Sequence, residues 1–186
     1  MRQEKLLIRK AKLKDRDELE GLWDRVIQDA FIKEGTDEYH NPKDELAFKM
    51  EQFDAALKEL SSHYFCAFVD DKLVGTIAYG TPPNRGILRR TGDELKEMVE
   101  IGSLYIEPTL QKKGYGRRLL MFILEDLLNK GIHTVCFDSI IESSKQIWRK
   151  IFGEPKYQIP SKKHEFVHRI WVVNVKESLE NIKKRH

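Results

Sequence analysis

Apolar positions recur along the chain with two different periods, and the change of period separates predicted strands from predicted helices. Short runs rich in β-branched and aromatic residues predict seven strands, namely Leu6–Lys10, Tyr64–Val69, Leu73–Tyr79, Glu100–Ile106, His133–Phe137, Tyr157–Ile159 and Phe166–Val173. Three- and four-residue spacing predicts four helices, which lie after an N-cap at Asp15 or Asp17, over Asp44–Leu60, around Leu119–Leu128, and over Ser143–Phe152 with Ser143 as its cap.

The segments between these elements are polar and rich in turn-forming residues. Asp70-Asp71-Lys72 predicts the turn of a hairpin, and Gly75 is a candidate bulge in its second strand. Thr81–Glu97 contains two prolines and three arginines and predicts a long mobile connection, either a substrate lid or an exposed crossover. The tail Lys176–His186 predicts a charged helix or a frayed end.

The overall composition indicates one globular domain over residues 1–186, with a core at about 6–174 and a charged tail at 175–186. The two cysteines, Cys66 and Cys136, each lie in an apolar run, which predicts buried reduced thiols and a cytoplasmic protein. We find no secretory signal pattern and no apolar run of membrane-spanning length, so no membrane partner is expected. A net charge of +3 is too small to indicate nucleic-acid binding.

The distribution of charge is more informative than its total. Residues 15–60 hold fourteen acidic and six basic side chains, a net charge of −8, and the remainder of the chain therefore carries +11. A basic remainder favours a polyanionic cofactor, and an acidic N-terminal part, including the loop Glu34–Pro42, favours a cationic amine substrate. Solvated outer faces of helices would give the same pattern.

Two other classes of chemistry find no support. The six histidines show no HxxxH or HxH spacing and no cysteine partners, so we expect no metal site. No GxSxG motif is present, and a hydrolase is not indicated.

The most informative stretch is Glu100–Leu120, an apolar strand, a tight basic turn and then a helix. The turn, Gln111-Lys-Lys-Gly-Tyr-Gly116, has two glycines that allow backbone N–H groups to converge at the start of the helix. That arrangement binds anions, above all phosphate.

Gln111, Gly114 and Gly116 follow an apolar strand and fill the pattern Arg/Gln-x-x-Gly-x-Gly/Ala, which resembles motif A of the GNAT superfamily, the acetyl-CoA-dependent N-acetyltransferases. The order of elements over residues 6–174 is also similar to that of a GNAT domain. The resemblance implies an α/β fold with a mixed, twisted sheet of about seven strands, splayed at two central parallel strands and flanked by about four helices. It also implies an enzyme that moves an acetyl group from acetyl-CoA directly to a primary amine.

The resemblance assigns cofactor contacts to the strand and the turn. Backbone amides of Lys112, Lys113, Gly114, Tyr115, Gly116 and Arg117 would bind the pyrophosphate of acetyl-CoA, with side-chain contacts from Gln111, Lys112, Lys113 and Arg117. Leu104, Tyr105 and Ile106 would pair with the extended pantetheine arm. The Leu104 amide would donate to the thioester carbonyl.

Glu100 is the candidate general base, because it lies sixteen positions before Gly116, where histone-acetylating members of the family place a catalytic glutamate. Simple alternation puts it on the face of Gly102, Leu104 and Ile106, although a bulge expected in this strand could shift that register. A pair with Arg89 or Arg90 is the structural alternative, and Glu97 is the second candidate base.

The sequence departs from the family at the general acid. Many members carry a tyrosine in the last helix, but either alignment places Trp148 or Arg149 there. Tyr157 or Tyr105 could donate instead, or the thiolate, with a pKa of about 8.5, could leave unaided. A GNAT-like domain that binds acyl-CoA without turnover is therefore the alternative function. A homodimer is a possible assembly.

Overall fold

The computed structural model describes residues 5–34, 41–59, 62–80, 85–161 and 167–184. The strands are β1 Leu6–Lys10, β2 His63–Val69, β3 Lys72–Gly80, β4 Val99–Ile106, β5 Thr134–Ser139, β6 Tyr157–Pro160 and β7 Val167–Asn174. The helices are α1 Arg16–Glu34, α2 Pro42–Glu59, α3 Arg85–Thr91, α4 Tyr115–Asn129, α5 Glu142–Phe152 and α6 Val175–Lys184. Short 3-10 turns cover Leu13–Asp15, Gly92–Leu95 and Pro108–Leu110.

The strands form one mixed sheet in the order β1-β2-β3-β4-β5-β7-β6. β4 and β5 run parallel, with Val99 opposite Val135 and Glu100 opposite Cys136, and among the described residues their pairing is confined to these two positions. The predicted α/β fold, with a seven-stranded mixed sheet and two central parallel strands, is confirmed.

The chain divides into two compact units, which are Met1–Ala78 with Ser103–Phe122 and Tyr79–Gly102 with Ile123–His186. The division passes within β3, β4 and α4, so these elements contribute residues to both units. The prediction of a single domain over 1–186 stays a prediction.

The first unit is built around α1, α2 and the antiparallel pair β1–β2. Its core takes the apolar stripe of α1 (Leu19, Leu22, Trp23, Val26 and Ile27), which the three- and four-residue spacing predicts. The rings of Phe53 and Tyr64 lie within 6 Å of the Trp23 ring, at centroid distances of 5.9 and 5.8 Å. The hairpin turn is as predicted, with Asp70 and Asp71 both at positive φ.

The second unit is built around the antiparallel strands β5, β7 and β6. Phe137 stacks on Trp171 at a centroid distance of 5.3 Å, and Trp148 and Phe152 of α5 close the same aromatic cluster. A smaller apolar cluster joins Ile87, Leu95, Cys136, Ile159 and Ile170.

The prediction of a mobile connection over Thr81–Glu97 is wrong for its described part. Residues 85–95 form α3 and a 3-10 turn, and Ile87 and Leu95 are 2% and 0% exposed. The arginines and prolines favour the prediction of an exposed connection, although the segment also contains these two apolar residues. Burial against Cys136 and Ile170 stabilises the segment.

The C-terminal tail is also more ordered than a frayed end. α6 buries Val175, Leu179 and Ile182, and Lys183 pairs with Glu125 of α4 at 2.8 Å. α6 confirms the charged-helix alternative for the tail, whereas α3 is a helix that the sequence does not predict. Tertiary packing of their apolar side chains stabilises both helices.

The predicted cap of α5 is wrong, whereas Asp15, one of the two candidate caps of α1, directly precedes that helix. Asp15 precedes α1 but is buried, where its carboxylate accepts the Lys12 amide at 2.8 Å and pairs with Arg9 at 2.7 Å. α5 begins at Glu142 with Ile141 as its N-cap, not Ser143. Phe48 of α2 is 52% exposed. The acidic loop predicted at Glu34–Pro42 lies largely outside the described residues.

Candidate active site

The predicted cofactor residues follow one another along a continuous path in the first unit. β4 ends at Ile106, the 3-10 turn Pro108–Leu110 reverses the chain, and α4 starts at Tyr115. Two contacts tie this path down: the Glu107 amide donates to the Val74 carbonyl at 2.9 Å, and the Gln111 side chain donates to the Ile106 carbonyl at 3.3 Å. The second contact links the turn to the strand end that precedes it.

The turn before α4 has the backbone of an anion-binding nest. Lys112 and Gly114 have φ of +63° and +85°, and the first helical bond runs from the Arg118 amide to the Gly114 carbonyl at 3.0 Å. Alternation of left-handed with ordinary residues turns successive N–H groups towards one point, and the first turn of a helix presents N–H groups that the helix itself does not use. The geometry therefore fits a phosphate group.

The two glycines of the turn have different environments. A Cβ added at Gly114 would meet nothing within 4 Å, so no neighbouring protein atom excludes a side chain there. The positive φ of this residue is what favours glycine. A Cβ added at Gly116 would lie 3.5 Å from Ile106 Cγ1, which is an ordinary contact. The surrounding protein thus leaves room for a Cβ at Gly116.

The turn is also positively charged. Lys112, Lys113 and Arg118 are exposed and Arg117 is half-buried, and the sequence from 108 to 124 contains no acidic residue. The nearest preceding acid, Glu107, pairs with Arg25 at 2.9 Å. Tyr115 is 5% exposed, so only its backbone amide is placed to contact a ligand at the turn.

β4 departs from regular strand geometry at Ser103, in the strand where the sequence led us to expect a bulge. Ser103 has a φ of +49°, a left-handed conformation that non-glycine residues rarely adopt and that is found at β-bulges. Its carbonyl accepts the Thr76 hydroxyl at 3.0 Å, and the Thr76 oxygen in turn accepts the indole N–H of Trp23 at 3.0 Å. Sequence reasoning missed both partners; the only signal for Thr76 is a polar residue in an otherwise apolar strand.

The left-handed residue interrupts the two-residue alternation that placed Glu100 on one face with Leu104 and Ile106. That register therefore holds only as far as Gly102, and the orientation of the later residues is set at Ser103. Close packing of β3 accompanies it, because a Cβ added at Gly75 would lie 2.8 Å from the Tyr105 carbonyl oxygen.

Glu100, the candidate base, lies in the second unit opposite Cys136 of β5 and is half-buried. Its charge acts on that neighbour: burial, with a smaller contribution from Glu100, raises the pKa of the Cys136 thiol to about 12. Of its suggested alternative partners, Arg90 donates to the Pro160 carbonyl, and the Arg89 side chain lies outside the described part of the chain. Glu97, the second candidate, is exposed.

The contacts of the two candidate general acids, Tyr157 and Tyr105, do not assign the role to either residue. The Tyr157 hydroxyl donates to Glu94, and this hydrogen bond is the main cause of its raised pKa. Burial raises the pKa of Tyr105, whose ring lies 6.0 Å from that of Trp23. Trp148 is half-buried and packs on Phe137 at 5.2 Å.

The described residues contain no group of three or more His, Cys, Asp or Glu side chains that could hold a metal ion. None of their helices combines the length and apolar composition needed to cross a bilayer. Cys66 and Cys136 are both buried free thiols, as predicted.

Solved structures share this fold at low sequence identity. A GNAT-family protein from Desulfovibrio desulfuricans, described as a candidate acetyltransferase, superimposes with a TM-score of 0.67 at 15% identity, covering 92% of this chain and 99% of that one. The PaiA N-acetyltransferase of Thermoplasma acidophilum, solved with coenzyme A, gives 0.66 at 16% identity over 91% and 99%. A chimera of the Vibrio cholerae spermidine N-acetyltransferase gives 0.63 at 15% identity over 94% and 98%.

A family model supplies the stronger comparison, because it matches the sequence itself. The model described as the acetyltransferase (GNAT) family matches residues 25–153, a range that runs from α1 to the end of α5 and includes the strand, the turn and the first helix of the candidate site. The chain belongs to the acetyltransferase (GNAT) family.

Proposed function

We propose that the protein is an N-acetyltransferase that moves an acetyl group from acetyl-CoA directly to a primary amine of a small molecule or peptide. The observation that carries the proposal is the nest before α4, where Lys112 and Gly114 take left-handed conformations beside open space in a basic segment. Family membership and the coenzyme A bound to a structural neighbour support the same cofactor.

The nest would hold the pyrophosphate of acetyl-CoA through the amides of residues 112–117. The positive end of the α4 dipole adds to this attraction, as do the side chains of Lys112, Lys113 and Arg117, with Gln111 as a further polar contact. Leu104, Tyr105 and Ile106 would pair with the pantetheine arm, because the pairing of β4 with β5 ends at Glu100 and leaves the later part of β4 outside that ladder.

When bound, acetyl-CoA supplies an activated acyl group. The residues of the chain orient the thioester and remove a proton from the amine. The Leu104 amide donates to the thioester carbonyl oxygen, where negative charge develops. Glu100 removes a proton from the amine, which has a pKa of about 10 and is mostly protonated at neutral pH. Solvent protonates the thiolate, because no tyrosine occupies the usual position in α5.

A cationic amine is the preferred substrate class. α1 and α2 lie within the stretch 15–60, whose net charge is −8, and a spermidine N-acetyltransferase is among the structural neighbours. The screen should therefore contain polyamines, lysine and short peptides with free N-termini, with uncharged aromatic amines for comparison. Thiol release from acetyl-CoA is the signal, and the proposal fails if no amine accelerates it above the rate of hydrolysis.

A Glu100→Gln variant tests the base. General-base removal typically costs about 10²–10⁴-fold in rate, and the loss should be largest below the pKa of the amine, where the variant depends on the free-amine fraction and its rate rises about tenfold per pH unit. Glu97→Gln is the control on the second candidate. A pH–rate profile for Glu100→Gln that matches the wild type would remove this residue from the mechanism.

The second candidate function is an acyl-CoA-binding domain without turnover. The observation in its favour is Trp148, which fills the place of the usual tyrosine and packs on Phe137 and Phe152 with no hydroxyl to offer. Such a domain would bind acetyl-CoA in calorimetry and show neither hydrolysis nor amine-dependent thiol release, whereas the enzyme shows both binding and release.

A further inference from the structure

We infer that Trp23 and Thr76 are positioning residues for the Leu104 amide, acting through a hydrogen-bond relay that ends on the same peptide group. The relay runs from the Trp23 indole N–H to the Thr76 oxygen, and from the Thr76 hydroxyl to the Ser103 carbonyl, at 3.0 Å for each step. This inference rests on the proposed function, since it assigns the Leu104 amide to the thioester carbonyl.

A single peptide plane connects the Ser103 carbonyl to the Leu104 N–H. The Ser103 carbonyl and the Leu104 N–H belong to a single peptide unit, and the described residues contain no cis peptide bond. In a planar trans peptide the C=O and N–H vectors point in opposite directions. A side chain that holds the Ser103 oxygen therefore sets the direction in which the Leu104 N–H points.

The backbone conformation of Ser103 requires such a restraint. Ser103 has a φ of +49°, although a glycine, which adopts this conformation without cost, stands one position earlier at Gly102. The Thr76 hydroxyl holds Ser103 in place by donating to its carbonyl at 3.0 Å. A strained conformation persists only where surrounding contacts restrain it, and this buried hydrogen bond is such a contact.

The relay also affects the strength of the Leu104 N–H as a hydrogen-bond donor. Trp23 and Thr76 are both 0% exposed, so the relay is shielded from water. Hydrogen bonds in a chain polarise one another, and a donor on the carbonyl oxygen of a peptide strengthens the N–H of that peptide as a donor. The Thr76 hydroxyl thus both aims the Leu104 N–H and increases its attraction for a developing negative charge.

The test is a substitution that keeps shape and removes the hydroxyl. Thr76→Val should lower kcat on the order of tenfold to a hundredfold, less than the roughly 10²–10³ lost when an oxyanion donor is removed outright, because the amide itself remains. The KM for acetyl-CoA and the affinity for free CoA should change little, since the phosphate nest is untouched. Thr76→Ser restores the hydroxyl and should recover most of the rate. Trp23→Phe, which keeps a ring and removes the donor, should give a smaller loss.

A spectroscopic readout separates positioning from a general loss of structure. In difference infrared spectra with [1-¹³C]acetyl-CoA and no amine, the wild-type protein should lower the frequency of the thioester carbonyl relative to solution. Thr76→Val should return it towards the solution value, and Thr76→Ser should lower it again. Ser178→Ala is the matched control, because it removes a buried hydroxyl of α6 that donates to the Asn174 carbonyl at 2.6 Å. This variant should leave the band unchanged.

The outcomes distinguish this inference from the proposed function. If the wild type binds and transfers acetyl groups while Thr76→Val keeps the wild-type band and kcat, the relay is refuted and the function stands. Equal losses in CoA affinity and thermal stability, with an unchanged band, would make Thr76 merely structural and would also refute it. If the wild type does not bind acetyl-CoA, the proposed function fails and the relay with it. Should Thr76→Val not fold, Trp23→Phe and Thr76→Ser give the same comparison.

Discussion

Replacement of Gly114 separates the backbone role of this residue from its role towards an anion. Gly114 has a φ of +85°, and an added Cβ would meet nothing within 4 Å. Gly131, beyond the other end of α4, has a φ of +75° and equally open space. Alanine or aspartate at the two positions therefore imposes the same kind of backbone strain, and only one position faces the proposed phosphate.

The magnitudes follow from these two facts. A left-handed conformation costs an L-residue about 1–2 kcal/mol, so Gly114→Ala and Gly131→Ala should lower stability equally, by about 2–8 °C in Tm for a chain of this size. Aspartate at position 114 adds a negative charge beside the pyrophosphate. At a separation of about 5 Å and an effective dielectric constant of about 20, the repulsion is about 3 kcal/mol for each unit of phosphate charge. That energy corresponds to a loss of roughly 200-fold in affinity.

Calorimetric titration with acetyl-CoA, paired with thermal unfolding, measures both quantities in the four variants. We expect Gly114→Asp to bind far more weakly than Gly114→Ala, while both Gly131 variants bind like the wild type. Raising the salt concentration from about 0.1 M to 1 M shortens the screening length from roughly 10 to 3 Å and should recover part of the aspartate effect. Unchanged affinity in Gly114→Asp, or an equal loss in Gly131→Asp, would refute the assignment of the phosphate site.

Two further predictions concern the first unit and the thiols. The Arg9 hydrogen bond holds the pKa of Asp15 below its usual 3.8. The stabilising contribution of the Asp15 carboxylate is therefore fully present above pH 3.8 and is lost as the pH falls through the lower, folded-state pKa. Asp15→Asn should lower the free energy of unfolding by about 1–3 kcal/mol at pH 7 and by less below pH 3, and equal losses at both pH values in denaturant titrations would contradict this. Burial raises the pKa of Cys66 and of Cys136 to about 12, so neither thiol should react with an aromatic disulfide at pH 8 until the protein unfolds; fast labelling of the native protein would show that these positions open.

The strand, the turn and the helix of the candidate site could be predicted because they depend on near neighbours. Pro108 ends β4, Gly114 permits the left-handed step, and the apolar spacing after it gives α4. Each of these signals acts within a few residues, where sterics and periodicity are the controlling forces. The family resemblance rests on the same local pattern.

Other features depend on residues that are distant in sequence. The composition of α3 does not favour a helix. Burial of Ile87 in α3, and of Leu95 in the 3-10 turn after it, against residues of β5 and β7 stabilises this segment. The exposed Phe48 and the docked α6 likewise reflect which surfaces meet, and hydrophobic spacing does not specify the partner of an apolar face.

The sequence by itself determined the order of the strands and of the four predicted helices, and also the glycine turn and its charge, since these follow from local backbone preferences and from composition. Only the tertiary structure decided the conformation of Ser103. That conformation depends on Thr76, which reaches it from β3, and on Trp23 from α1. A left-handed serine is disfavoured locally, and it becomes stable only where folding brings those hydrogen-bonding groups around it.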